Sequence, residues 1–200
     1  MAKLLYQGHG SLRIIAQDGR VIYLDPYAGG GYDKPADIVL VTHGHHDHSK
    51  LELIIQNEGC KTITNKEALA GGKHNSFSLD GIEIEATEAR NFMHNPKACV
   101  GFIIALDGVR IYCSGDTSKT KQMQELANRE IDYALFCGDG VFNMGPKEAA
   151  QCARMVGAKH NILIHVTLRA LFDLTKAQKW DAPNKLIIQS GEEIELSGSK

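Results

Sequence analysis

One hexapeptide concentrates the chemistry of this chain: His43-Gly44-His45-His46-Asp47-His48. It sets metal-competent side chains in a His-x-His-x-Asp-His spacing, and with nine histidines in 200 residues such a cluster arises by chance in about one chain in a thousand. Read blandly, it is a polar surface loop. Several imidazoles at short range, however, cannot all carry charge and would compete for few partners, a conflict that a bound cation removes. His43 and His45 can point to one metal, while Asp47 and His48, half a turn further on, can face a second. Two metals need more than these four ligands. His94, in the loop Asn91-Phe92-Met93-His94-Asn95-Pro96, stands where a ligand is expected. Asp116 follows Gly115, which permits a tight turn that aims the carboxylate back at the strand ends. His165 ends the apolar run Ile162-Leu163-Ile164 and suits a core histidine as well as a ligand.

Taken in order, the chain carries Tyr23-Leu24-Asp25-Pro26, the Thr42-to-His48 cluster, His94, Cys113-Ser114-Gly115-Asp116-Thr117, Met144-Gly145-Pro146-Lys147-Glu148-Ala149 and Ile164-His165. This set resembles the metallo-β-lactamase superfamily of dinuclear metal hydrolases, and within it a small cytosolic branch that includes ascorbate-phosphate lactonase-like proteins. The resemblance spans nearly the whole chain. It implies that His43, His45 and His94 hold one metal, that Asp47, His48 and His165 hold the other, and that Asp116 bridges them. Asp116 stands where the antibiotic-degrading lactamases carry Cys, which argues against β-lactam breakdown. Met93-His94-Asn95 and Val166 also depart from the related small proteins, so a substrate is not carried over.

Two divalent metals against two carboxylates and five neutral imidazoles leave a site of about +2. The expectation is a hydrolase in which hydroxide bridging the two metals attacks an ester, lactone, thioester or phosphodiester, with Asp47 and Asp116 as the catalytic carboxylates. The same field favours a small anionic substrate, with Arg90, Lys97 and Arg169 as candidates to bind it or else as solvated surface charge. Zinc is the default metal, and manganese or iron would accept the same nitrogen and oxygen donors. The alternatives are a superfamily nuclease acting on RNA or nucleotides and a non-catalytic metal-binding protein. A flavodiiron oxidoreductase would need Glu in place of His45 and a flavin domain. Of the other candidates, His46 reads as solvent-facing, and His9 sits in the loop that borders the site in the family. His74 and His160 read as surface-turn residues. Asp25 reads as a carboxylate that orients loops or histidines, and Trp180 as a core anchor.

The elements that must position these residues are mostly strands: Lys3 to Tyr6, Ser11 to Ala16, Val21 to Leu24, Asp37 to Val41, Lys61 to Thr64, Ser76 to Leu79 and Ile82 to Thr87. Further strands are expected at Val100 to Leu106, Val109 to Ser114, Tyr133 to Phe136, Asn161 to Ile164, Lys185 to Ile188 and Glu193 to Leu196. Helices are expected at Ser49 to Asn57, Lys119 to Ala127, Pro146 to Val156 and within Ala170 to Trp180. Strand meanders with helices between them predict two sheets covered by helices, an α/β four-layer αββα sandwich forming one domain over residues 1–200. A net charge of -2 lacks the basic excess of a binder of bulk nucleic acid. No apolar run approaches a bilayer span and no secretory start is evident, so a cytoplasmic protein without a membrane partner is expected. Five cysteines without Cys-x-x-Cys spacing suggest buried thiols rather than disulfides or a thiolate zinc site. A homo-oligomer is left open.

Overall fold

A computed structural model describes residues 1–198. The first sheet takes β1 (Lys3–Gly8), β2 (Ser11–Ile15), β3 (Val21–Leu24), β4 (Ala36–Val41) and β5 (Gln56–Thr64). The second takes β6 (Ser76–Leu79), β7 (Ile82–Glu88), β8 (Val100–Leu106), β9 (Val109–Cys113), β10 (Tyr133–Cys137) and β11 (His160–Ile164), and β12 (Glu192–Glu195) returns to the first. The strand orders are β12-β1-β2-β3-β4-β5 and β11-β10-β9-β8-β7-β6. Both sheets are mixed: β3-β4-β5 and β9-β10-β11 are parallel, and the remaining pairings are antiparallel. It follows that β1, β3 and β4 run in one direction in their sheet, as do β7, β9, β10 and β11 in theirs. The loops leaving these seven strands carry the chemistry.

Side chains alternate across each strand, so each sheet has one face for its partner and one for an outer layer. Leu4, Leu12 and Leu40 of the first sheet share a buried core with Phe102, Ile104 and Leu135 of the second. Burial of each is worth about 1.5–3 kcal/mol before entropy is counted. The four-residue α1 (Asn65–Ala68) begins with a capping box between Thr64 and Glu67. The outer face of the second sheet, including Tyr112 and Phe136, packs under α2 (Gln122–Glu125), α3 (Pro146–Val156) and α4 (Leu174–Lys179). Trp180 is buried there beside Phe136, as a core anchor. The outer face of the first sheet is covered more thinly, with Leu51, Ile54 and Tyr32 closing over Val21, Tyr23 and Val39. This is the four-layer αββα arrangement expected. All five cysteines are free, four of them buried, and no helix among the described residues is long and apolar enough to cross a membrane.

The structure corrects three elements. Residues 49–57 form only a 3₁₀ turn at Leu51–Leu53 before the chain extends into β5. The β-branched Ile54 is already extended (φ -99°, ψ 120°), its side chain joins the outer core of the first sheet, and the Ile55 carbonyl accepts from Ala36 N–H. The helix expected from Lys119 starts at Gln122 and tightens into a 3₁₀ turn at Leu126–Asn128. Lys185 to Ile188 makes a single bridge to Asn161 rather than a strand, and the Asn161 side-chain N–H goes to the Pro183 carbonyl just before it. The glycine-rich segment 28–32 is fastened rather than loose: Gln7 and Arg13 donate to the carbonyls of Gly30 and Gly31.

Two phenols buried in this fold oppose its stability at alkaline pH. Burial raises the pKa of Tyr6 and Tyr112 well above the ordinary value of 10. The sign follows: the folded state keeps these phenols neutral, so their contribution is intact below about pH 10 and is lost as pH rises past it. Absorbance at 295 nm is expected to show at least these two of the six tyrosines titrating only when the chain unfolds. If all six ionise near pH 10 in folded protein, the buried placement is wrong.

Candidate metal centre

Loops from both sheets meet at one end of the sandwich. The β4 exit delivers Thr42 to His48, the β7 exit His94, the β9 exit Asp116, the β10 exit Asp139, the β11 exit His165, and the β1–β2 turn His9. Three of these turns hold non-glycine residues with left-handed backbone: His9 (φ 57°), Asp25 (φ 46°) and His165 (φ 48°). Such residues cost about 1–3 kcal/mol each and persist where surrounding bonds dictate them. The backbone of His9 is tied on three sides, donating to Leu171 O and accepting at its carbonyl from His165 N–H and Tyr6 O–H. Gly10 must be glycine because a Cβ there would come 2.9 Å from the His48 ring. At Gly115 (φ 62°) a Cβ would meet the Val100 carbonyl at 2.4 Å, so this turn admits no side chain as it aims Asp116 inward.

The seven residues singled out from the sequence come together. One atom each from His43, His45 and His94 lies within 4.8 Å of the others, and the same holds for His9, Asp47, His48 and His165 and for His43, His48 and Asp116. Asp116 lies between the sets, its Oδ2 being 3.5 Å from His94 Nε2, 3.5 Å from His165 Nε2 and 3.6 Å from His48 Nε2.

Hydrogen bonds behind the rings fix which nitrogen faces the centre. Asp25 accepts from the backbone and hydroxyl of Thr42 and from His48 Nδ1 at 2.8 Å. Because the Thr42 hydroxyl proton goes to Asp25, its oxygen accepts from His43 Nδ1. Asn91 Oδ1 accepts from the N–H groups of Met93 and His94, and from His94 Nδ1 at 2.9 Å. In His43 and His94 the proton therefore sits on Nδ1 and the lone pair on Nε2, while His48 gives its Nδ1 proton to Asp25 and turns Nε2 toward Asp116. The Nε2 atoms of His43, His48 and His94, together with Nε2 of His165, are buried without a hydrogen-bond partner. Four such ring nitrogens facing one space are costly on their own, and a bound cation is the partner that suits them. The donor set therefore fits the metals implied by the resemblance.

The electrostatics agree with this. Burial, reinforced by His48, pushes the His43 pKa down to about 2, and burial also lowers those of His94 and His165. Burial opposes ionisation of Asp116 and Asp47 as well. Around Asp116, however, His48, His165 and His43 outweigh it, and around Asp47 the His9 hydrogen bond and His48 do, so both carboxyls stay well below their usual range. His48 is the exception among the imidazoles: Asp116 and Asp25 overcome its burial and raise it to about 9. Ionised carboxylates beside largely neutral imidazoles form a divalent-cation site.

Four contributors had escaped sequence reasoning or been only touched by it. His9, placed near the site by the resemblance, contacts Asp47 Oδ2 through Nε2 at 3.2 Å. Asn143 donates to both Asp116 and Asp139 at 2.8 Å and accepts from Asn91. Asp139 Oδ2 lies 3.6 Å from His165 Nδ1. His46 faces solvent as expected, with its side chain 82% exposed. His74 is exposed, whereas His160 begins β11 and stacks on Tyr133. Of the two readings of the cationic candidates, solvated surface charge is the one that fits: Arg90 pairs with Glu88 at 2.9 Å, Lys97 and Arg169 are exposed, and none of the three lines the cleft of about 470 Å³ above the centre. Val166, which departs from the related small proteins, is buried in the core beneath the helices, and Leu168 two residues further on lines the cleft.

This fold and this cluster define a protein of the β-lactamase superfamily. The model of that superfamily's domain matches residues 3–165, and the chain belongs to the superfamily. Within it, the chain shares a family with a metal-dependent hydrolase of Thermococcus onnurineus, 30% identical over 98% of this chain and 100% of that one. Among solved structures, a metallo hydrolase from Ignicoccus hospitalis superposes with a TM-score of 0.76 at 20% identity, covering 98% of this chain and 99% of that one. CmlA, a diiron β-hydroxylase from Streptomyces venezuelae, does so with a TM-score of 0.70 at 12% identity, covering 98% of this chain and 54% of that one. At such identities the likeness is one of fold alone.

Proposed function

We propose that the protein is a dinuclear metal-dependent hydrolase of small molecules carrying an ester, lactone, thioester or phosphodiester. The observation that carries this reading is the convergence of three buried Nε2 atoms without a hydrogen-bond partner, those of His48, His94 and His165, on Asp116. His43, His45 and His94 would hold one cation, Asp47, His48 and His165 the other, and Asp116 both, with zinc as the default and manganese or iron compatible with the donors. Bound there, divalent ions supply an acidified water, its pKa brought from about 15.7 toward 7, and positive charge facing a polarised oxygen. Asp47, only 26% exposed and kept ionised beside His9 and His48, is a carboxylate at the cleft that can accept a proton there. Asn143 keeps Asp116 ionised and aimed. Asp25, Thr42 and Asn91 hold the imidazoles in their productive tautomer.

The absence of Lys and Arg from the cleft lining weakens the nuclease alternative and the case for an anionic substrate, because a phosphate backbone is gripped by such side chains. Zinc- and manganese-loaded protein is expected to hydrolyse at least one of the four substrate classes well above the metal-free background. If no class is turned over, the reading gives way to a non-catalytic metal-binding protein. Asp25→Asn, which keeps a residue tolerant of the left-handed turn but puts an amide against His48 or Thr42, is expected to weaken metal binding about 10- to 100-fold. Competition against a coloured chelator measures this, and unchanged affinity would remove the orienting role of Asp25.

A further inference from the structure

One side of the cleft's mouth is polar, with His45, His46 and Asp47, and the other side is apolar, with no Lys or Arg anywhere in the lining. Large hydrophobic side chains are exposed on three loops around the metal centre: Phe92 (79%) and Met93 (51%), Val141 (55%) and Phe142 (44%), and Leu168 (43%). Met93, Phe142 and Leu168 line the cleft directly, above a floor that contains His94, Asp116 and His165. Such exposure is costly in water, and a contiguous apolar rim around a polar floor marks a binding site. The loops are built to hold it. Asp139 Oδ1 accepts from the N–H groups of Val141 and Phe142, Asn91 Oδ1 accepts from Met93 N–H, and the carbonyl of Val166 is held by Lys176 Nζ at 2.7 Å. Asn91 and Asp139 also reach the centre, through His94 and His165, so rim and floor are fixed by the same side chains.

We propose that the substrate carries its hydrolysable group on an uncharged, apolar acyl or aryl body, which seats against Met93, Phe142 and Leu168 while the reacting bond lies over Asp116. The inference rests on the hydrolase reading and names the substrate's other half. A cavity of about 470 Å³ falls within the range of about 300–1,000 Å³ used by small-molecule sites. Its concavity favours a small molecule over a flat protein face, since Asp116 is only 5% exposed at its floor. A polyanion would bring charge against three apolar side chains, with no lysine or arginine in the lining to meet the charges that lie beyond the metal centre.

Two measurements test this. The first needs neither metal nor turnover: the neutral fluorophore N-phenyl-1-naphthylamine is titrated into the purified protein and into Phe142→Asp and Leu168→Asp, whose surface positions keep the fold. Binding by the parent chain and at least tenfold weaker binding by both variants is expected. The second follows kcat/KM of metal-loaded protein along p-nitrophenyl acetate, butyrate, hexanoate and octanoate. A rise of about threefold per added methylene is expected, flattened in Phe142→Asp. No fluorophore binding, binding that ignores both variants, or kcat/KM independent of chain length would overturn the proposal. So would sedimentation showing a dimer of the parent chain that both variants dissociate, because the rim would then be an interface between copies. Fluorophore binding without hydrolysis of any ester, lactone, thioester or phosphodiester would instead overturn the hydrolase reading and leave the apolar site standing.

Discussion

Asp116→Ala is expected to lower hydrolysis by about 10³-fold or more, equivalent to about 4 kcal/mol of transition-state stabilisation, while the circular dichroism spectrum stays that of the parent. The catalytic loss follows from position. Asp116 Oδ2 lies 3.5–3.6 Å from nitrogens of His94, His165 and His48, so one side chain serves both ligand sets and its removal strips each of a negative donor. The fold survives because the remaining partners stay satisfied. Asn143 keeps Asp139 as an acceptor, and His48 keeps Asp25 at 2.8 Å. Asp116→Asn separates charge from shape: it preserves the volume at the floor of the cleft but removes the negative charge, and it is expected to behave like alanine. Steady-state kinetics on metal-loaded variants decide this. Full turnover by Asp116→Ala would mean that the two ligand sets do not act through a shared carboxylate.

How much of this site could be read from the sequence depended on the separation between partners. The hexapeptide was legible because its members are neighbours in the chain, so types and spacing alone carried the signal. Asp116 was half legible, since Gly115 announced a turn, but its target lies about 70 residues away on the other sheet. His94 was legible from its place in a loop between strands, whereas His165 suited a core histidine as well as a ligand until the resemblance placed it. Asn91, Asn143 and Asp139 left no trace, because an amide or carboxylate in a loop is unremarkable until the fold brings it to a histidine. The same limit explains the lost helix at residues 49–57. Leu51, Ile54 and Ile55 match a helical stripe and a strand equally well, and what decides is the sheet: the Ile55 carbonyl meets Ala36 and Ile54 finds the outer core. The role of the cations stayed open for a related reason. Proximity in sequence to His94 and His165 put Arg90, Lys97 and Arg169 on the loops that bear the ligands, whereas the side chains the loops turn toward the cleft are Met93 and Leu168.

Protein dialysed without chelator and then loaded with zinc or manganese is expected to hold about two metal ions per chain by plasma mass spectrometry, and their removal is expected to lower its melting temperature by about 10 °C. The stoichiometry follows from the division of donors. His43, His45 and His94 form one set and Asp47, His48 and His165 fall in another, with His9 beside them. The stability effect follows from linkage: each of two ions that bind only the folded chain, free at about 30 times its dissociation constant, adds about 2 kcal/mol, about 4 kcal/mol in all. In a chain of 200 residues that is worth about 2–4 °C per kcal/mol. It also follows from the donors themselves, because losing the ions returns four buried nitrogens to the unpartnered condition seen here. His45→Ala tests the division, since His45 is exposed and belongs to the first set alone. This variant is expected to retain about one ion and the fold, whereas His48→Ala, which lies in two of the three groupings, is expected to lose both ions or bind them far more weakly. One ion in the parent chain would make the centre mononuclear and confine Asp116 to an orienting role. None after loading would remove the metal from the chemistry and leave the cluster of imidazoles without its physical reason.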